Sequence, residues 1–368
     1  MPNSIASIPP DANVLEISLF GPGVGECVLV HLGGGDWLIV DSLQRRPNLL
    51  PVALEYLGFL GVEPSGIRVI VATHWDDDHV RGLFQVLQAA PNADFYCSAA
   101  FGNRDVRVML DLYGGVPPKQ GTTAREVWEV FQLLEERGKP LKLVGPNQIL
   151  YRRAATREIP DVIVSSLSPS HSAVQAAIQA MISRIPHNGD LRVFRPWRPP
   201  NHNAIVLSVK WDTSIVLLGA DLEEVNNAIG WTAIVNDLNR DQGRAEVFKV
   251  PHHGSMNAFV DRAWDELLVD DPIAIVAPFR QGDVILPTAE GREAICRRSS
   301  RAFIASFPYR RPAETTRERA VQRTLAEASI SVQHRTYPSG QVRLRKSAQT
   351  SNDEWAITLM GNARELCA

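Results

Sequence analysis

The chain has 368 residues, 45% of them hydrophobic and 21% charged, the balance of a globular protein with a real core. That length allows two or three domains, or one large α/β domain with insertions; disorder and collagen-like repeats are excluded. The net charge of -3 hides an asymmetry: residues 292–346 carry thirteen Lys and Arg against four acids, a local +9 that leaves -12 on the rest.

No run approaches the roughly 18 unbroken apolar residues of a membrane span, which argues against an integral membrane protein. The opening MPNSIASIPPDAN lacks the basic and apolar regions of a secretory signal. Cys27, Cys97, Cys296 and Cys367 lie far apart without a CxxC pair, which argues against a disulfide framework or a thiolate zinc site. A cytoplasmic protein is expected.

In chain order, NVLEISLF (13–20), CVLVHL (27–32) and WLIVDS (37–42) read as strands joined by glycine turns. A helix is expected around Asn48–Leu60. IRVIVATH (67–74) is a continuous apolar run, the mark of a strand buried on both faces. HVRGLFQVLQAA (79–90) has helical spacing, as does Thr123–Lys139, and a further helix is expected over Ser172–Ile185. Residues 186–202 form a Pro-, Arg- and Trp-rich loop. Strands follow at 204–211 and 214–220, a helix near Leu222–Ala228, and more strands at 246–251 and 273–279. The alternating tail (ISVQHRTY, QVRLRK, WAITLM) predicts a small terminal sheet.

The sharpest chemical feature is THWDDDH, residues 73–79, where a buried strand ends and a helix begins. His74, Asp76, Asp78 and His79 are potential metal ligands within six residues. Three adjacent carboxylates concentrate like charge that a divalent cation would compensate. An acidic helix N-terminus explains an aspartate or two but not the flanking histidines. VPHHGS (250–255) again puts imidazoles, His252 and His253, after a strand. Asp221 in LLGADLEE ends an apolar strand, either as a metal ligand or as the N-cap of a helix beginning at Leu222. Asp41 ends another, and is expected to orient the metal loop from behind by accepting hydrogen bonds.

These pieces, in this order, resemble the metallo-β-lactamase superfamily, and within it the hydrolase domain of ComEC-type competence DNA-uptake proteins. The matching segments are Gly23-Val24-Gly25-Glu26 for a G-x-G-D turn, His74–His79 for H-x-D-x-D-H, Asn201–Val206 for N-x-N-S-x-V, Gly219-Ala220-Asp221 for G-D, and Val250–Ser255 for V-P-H-H-G-S. Two departures stand out: Ala220 replaces the glycine before the aspartate, and Leu286-Pro287 stands where the family has His-Pro. The resemblance implies an α/β fold, the αββα sandwich, over residues 1–290. Residues of about 110–200 would be an insertion or cap, and 291–368 a basic C-terminal extension.

It also implies two divalent ions, Zn²⁺ or Mn²⁺ with Mg²⁺ plausible, activating a bridging water. His74, Asp76 and Asp221 would hold one. Asp78, His79, Asp221 and either His252 or His253 would hold the other. Asp78, Asp221 and His253 would carry the catalysis. The expected activity is hydrolysis of a phosphodiester, with nucleic acid the leading substrate. Ser255, Lys249, Asn203 and Arg81, together with Arg195 and Arg198 of the Arg/Trp loop, are candidate substrate contacts. Alternatives are hydrolysis of a small nucleotide, lactone or thioester, or a degenerate binding protein working with a protein partner. There is no G-x-S-x-G elbow and no GxxxxGK[ST] phosphate loop, and Ser168-Pro-Ser-His171 lacks the surroundings of a nucleophile.

Overall fold

The computed structural model of the protein describes residues 7–21, 25–45, 49–100, 118–119, 121–182, 201–306, 340–348 and 354–367. In the first half, β1 (Val14–Phe20), β2 (Cys27–His31), β3 (Trp37–Val40), β4 (Ile67–Ala72), β5 (Asp94–Ser98) and β6 (Lys142–Val144) lie side by side. Then come β7 (Ile149–Arg153), β8 (Val162–Ser166), β9 (Leu207–Trp211), β10 (Ser214–Leu218), β11 (Ala245–Lys249) and β12 (Leu268–Val276), which build a second sheet. A short hairpin, β13 (Phe279–Gln281) and β14 (Val284–Leu286), precedes β15 (Arg301–Ile304), β16 (Gly340–Ser347), β17 (Ala356–Gly361) and β18 (Arg364–Glu365).

The tail does not make a sheet of its own, as the alternation predicted. β16 pairs antiparallel with β1 from Val14↔Ser347 to Phe20↔Gln341, β17 follows it, and β15 and β18 extend the second sheet. Among the described residues each large sheet is eight-stranded, in the orders β17-β16-β1-β2-β3-β4-β5-β6 and β18-β15-β12-β11-β10-β9-β8-β7. The stretch read as an insertion contributes edge strands to both: β6 to the first, β7 and β8 to the second.

Burial on both strand faces explains the layering. In β4, Val69 and Val71 join the core between the sheets, packed with Val164, Val209, Val216 and Ile275 of the second. Ile67, Ile70 and Ala72 point the other way, onto α1 (Val52–Leu60), α3 (Leu83–Ala89) and α4 (Thr123–Glu136). The outer face of the second sheet packs Leu217, Phe248 and Ala274 against α6 (Trp231–Asn236), α7 (Asp261–Leu267) and α8 (Ala289–Arg298). Helices, two sheets and helices thus form four layers around three apolar clusters. Two further helices are α2 (Asp77–Val80) and α5 (His171–Ile182). Among the described residues no helix is long and apolar enough to cross a membrane.

Three local expectations change. The 79–90 helix is interrupted at Gly82, whose φ of 83° stops α2 and starts α3. No helix forms over 222–228; that segment is a loop, and the helix begins at Trp231, whose indole donates to the Leu222 carbonyl. Cys296 and Cys367, 71 residues apart, form a disulfide, because β18 returns the chain end to β15 beside α8. Distance along the chain is no guide to distance in a folded sheet. Cys27 and Cys97 are free and buried.

Candidate metal centre

β3, β4 and β5 run parallel, as do β10, β11 and β12, so the loops leaving their carboxyl ends gather at one edge of the sandwich. Asp41 follows β3, His74 follows β4, Asp221 follows β10, and His253 follows β11. Asp41, Ala220, His252 and His253 all have positive φ (59°, 45°, 45° and 54°), a strained conformation concentrated at these loop starts. Gly25 lets the first turn approach: a Cβ there would lie 2.9 Å from the Asp78 carbonyl, which accepts from the Glu26 amide.

Each histidine ring is tied from behind. His79 Nδ1 donates to Asp41 Oδ2 at 2.7 Å. His74 Nδ1 donates to Thr73 Oγ1 at 2.9 Å, and that hydroxyl donates to Asp41 Oδ2 at 2.7 Å. Asp41 Oδ1 accepts the Thr73 amide at 2.8 Å. His253 Nδ1 donates to the Ala277 carbonyl at 3.1 Å. With every Nδ1 tied to an acceptor, Nε2 is the atom each ring would offer to a cation.

Those Nε2 atoms meet carboxylates. Asp221 Oδ2 lies 3.3 Å from His79 Nε2 and 3.4 Å from His253 Nε2. Asp78 Oδ2 lies 3.7 Å and 3.4 Å from the same two atoms, and Asp76 Oδ2 is 3.9 Å from His74 Nε2. One ligand atom from each of Glu26, His79, Asp221 and His253 falls within 4.8 Å of all the others; Asp41, His74 and His79 form a second such group. Nε2 of His74, His79 and His253 is buried and has no hydrogen-bond partner. Leaving such atoms unpaired costs about 1–3 kcal/mol each. Divalent cations would satisfy all three, so the donor set fits the metals implied by the sequence.

The electrostatics point the same way. Burial disfavours charge on every group here, yet His253 is held up at about 9 by Asp221, Asp78 and Glu26, and His79 is raised well above the ordinary range by Asp221, Asp78 and Asp41. Asp221 is driven well below its ordinary value by His253 and His79, despite its burial. Burial pushes Glu26 up, and His74 down with help from His79. The cage favours positive charge at its centre.

Not every candidate joins this cage. His252 turns aside: Nδ1 approaches Asn257 Oδ1 at 2.9 Å and Glu223 Oε1 at 3.2 Å, and Nε2 approaches Asn201 Nδ2 at 3.2 Å. Of the two adjacent histidines, only His253 meets Asp78 and Asp221. Asp77 points outward, accepting from Thr123 Oγ1. Lys249 is not a surface cation for substrate: it is fully buried and pairs with Glu26 Oε1 at 2.5 Å. Asn203 likewise has no solvent face; its carbonyl accepts from Ser98 Oγ, and its amide atoms have no hydrogen-bond partner. Arg81 is half-exposed, 3.9 Å from Asp77, and Ser255 is half-buried with its amide donating to His252. Arg195 and Arg198 lie outside the described residues.

In the basic segment, several described cations are spent internally. Arg298 pairs with Asp261 and Asp265, Arg345 with Glu16, and Lys346 with Glu246, while Arg343 is buried beside Tyr56. Residues the sequence reading missed are Glu26 and Thr73. Glu26 was visible only as the acid of a glycine turn, and Thr73 only as the residue before His74. Phe279 was also unforeseen; its ring stacks on His253 at 5.1 Å and leads into the hairpin that carries Leu286.

Residues 20–137 match the sequence model of the metallo-beta-lactamase superfamily. The fold is the metallo-β-lactamase sandwich, with extra C-terminal strands. Solved structures similar to it include the MIM-2 metallo-beta-lactamase, at 15% identity over 81% of this chain and 90% of that one (TM-score 0.35). A Cronobacter sakazakii metallo-beta-lactamase HARLDQ motif mutant matches at 14% identity over 63% and 75% (TM-score 0.32). A putative metallo-beta-lactamase from Thermotoga maritima matches at 15% over 57% and 79% (TM-score 0.31). No curated protein matches the sequence.

Proposed function

We propose that the protein is a metal-dependent hydrolase of phosphodiesters, with a centre that takes two divalent ions. One observation carries this reading: three imidazole Nε2 atoms, each fixed through its Nδ1, face carboxylates at one sheet edge, those of His79 and His253 toward Asp78 and Asp221 and that of His74 toward Asp76. His74, Asp76 and Asp221 would hold one ion, and Asp78, His79, His253 and Asp221 the other. Asp76 makes the donor set harder than an all-imidazole one, which suits Mn²⁺ or Mg²⁺ as well as Zn²⁺. Bound there, such ions neutralise an anionic ester and bring the pKa of water toward neutrality.

The H-x-D-x-D-H and HHGS motifs, with their ComEC-type likeness, favour a nuclease. The pairing of Arg345 with Glu16 and of Lys346 with Glu246 favours a small phosphodiester such as a cyclic nucleotide, because those two cations are not free to track a polymer backbone. The deciding experiment gives Mn²⁺- or Zn²⁺-loaded protein single- and double-stranded DNA, RNA, cyclic nucleotides, a lactone and a thioester. Cleavage of a phosphodiester is expected, falling at least about 100-fold in Asp78→Ala because a ligand and its charge are lost. Turnover confined to the lactone or thioester, or an Asp78→Ala variant at full rate, overturns the reading.

A further inference from the structure

We propose that Lys249 is a positioning residue for the metal centre, a buried ammonium that pins three separate loops and decides which oxygen of Asp221 faces the cage. Its Nζ donates to the Ala220 carbonyl at 2.7 Å, pairs with Glu26 Oε1 at 2.5 Å, and lies 3.7 Å from Asp221 Oδ1. These partners come from the glycine turn after β1 and the loop after β10, while Lys249 itself ends β11, four residues before His253. The Glu26 amide in turn donates to the Asp78 carbonyl at 3.0 Å, so the tie reaches the H-x-D-x-D-H loop as well.

The two oxygens of Asp221 are divided between different neighbours. Oδ1 lies toward Lys249, and Oδ2 faces Nε2 of both His79 and His253. The Lys249–Asp221 contact is an ion pair rather than a hydrogen bond, and its pull on Oδ1 leaves Oδ2 turned toward the two imidazoles, where it would serve as a metal ligand. Glu26 balances the ammonium; without Lys249 it would be a buried acid beside Asp221 that has lost its nearest cation. The side chain of Lys249 has almost no solvent exposure, so a direct grip on substrate is excluded. This inference rests on the metal-centre reading but not on the identity of the substrate.

The test titrates Mn²⁺ and, separately, Zn²⁺ into the chelator-treated full chain by calorimetry, with the thermal midpoint measured in parallel. Lys249→Met is expected to weaken binding of either ion about 10- to 100-fold, the range for residues that orient ligands. A purely electrostatic role predicts the opposite, because removing a positive charge from the cage should tighten cation binding. The Lys249→Met/Glu26→Gln double variant also removes the uncompensated acid. It is expected to recover the midpoint of the wild type yet to bind either ion more weakly than Glu26→Gln alone, since Asp221 has lost the ammonium that orients it. Unchanged or tighter binding in Lys249→Met, or a double variant that binds as tightly as Glu26→Gln alone, overturns the proposal. Wild-type protein that binds neither ion overturns the metal centre itself. Wild-type protein that binds metal without cleaving phosphodiesters overturns only the substrate reading.

Discussion

Asp41 accepts from the Thr73 amide, the Thr73 hydroxyl and His79 Nδ1, so one buried carboxylate sets the direction of two imidazoles. Polar groups of this kind are retained in a core when their atoms have partners, and here the partners lead to His74 and His79. His31 shows the same economy away from the site. Its Nδ1 donates to the Val14 carbonyl and its Nε2 accepts the Gly35 amide, which locks the ring neutral. Burial lowers its pKa from 6.5 to about 4. Between those values the unfolded chain binds a proton that the folded ring refuses, so stability is complete above about pH 6.5 and is lost as pH falls toward 4. The contribution is about 3 kcal/mol. Urea unfolding at pH 7.5 and 4 should show wild type losing about that much more than His31→Gln over the interval; parallel pH curves for the two would refute it.

At the level of elements, the strands are legible and several connections are not. β4 was evident from an unbroken apolar run, and its position before HWDDDH marked the site. The expected helix at 222–228 fails because Asp221, Leu222 and Glu223 are held as a loop by the site and by Trp231: Glu223 faces His252, and the Leu222 carbonyl takes the indole. Local helical preference lost to tertiary contacts. The C-terminal strands were visible as alternating runs, but their partners were not, because nothing local says that β16 completes the first sheet beside β1. In the second sheet the pairing of β18 with β15 brings Cys367 to Cys296. Disulfides persist in oxidising compartments and are rare in the cytosol, so this bond and the expectation of a cytoplasmic protein pull in opposite directions. Peptide mapping without reductant should recover Cys296 linked to Cys367, with Cys27 and Cys97 alkylated only after unfolding. Reduction should then cost about 2–4 kcal/mol of stability. Free, alkylatable Cys367 in the native protein would contradict the pairing.

Across the whole molecule, two sheets with aligned carboxyl edges convert four distant loops into one anionic cage. That cage favours a positive occupant, and Lys249 supplies only part of the charge. Metal binding should therefore stabilise the fold. At a hundredfold excess over its dissociation constant an ion adds about 2.7 kcal/mol. Treatment with a chelator should lower the thermal midpoint, and Mn²⁺ or Zn²⁺ should restore it. Asp221→Asn should respond far less, because it removes the carboxylate that faces both His79 and His253. A midpoint indifferent to chelator and to both ions would count against the cage as a metal site.

What the sequence determined by itself was the inventory: apolar strands ending in acids and histidines, and a donor set suited to hard divalent ions. Those follow from residue type and local spacing, which are properties of short segments. The tertiary structure alone decided that His253 rather than His252 enters the cage, that Glu26 joins it, and that Lys249 lies beneath it rather than on the surface. It also decided that the basic tail spends several of its charges inside the fold. Each of these depends on which strand lies beside which, and that is settled by packing two sheets face to face over residues hundreds of positions apart.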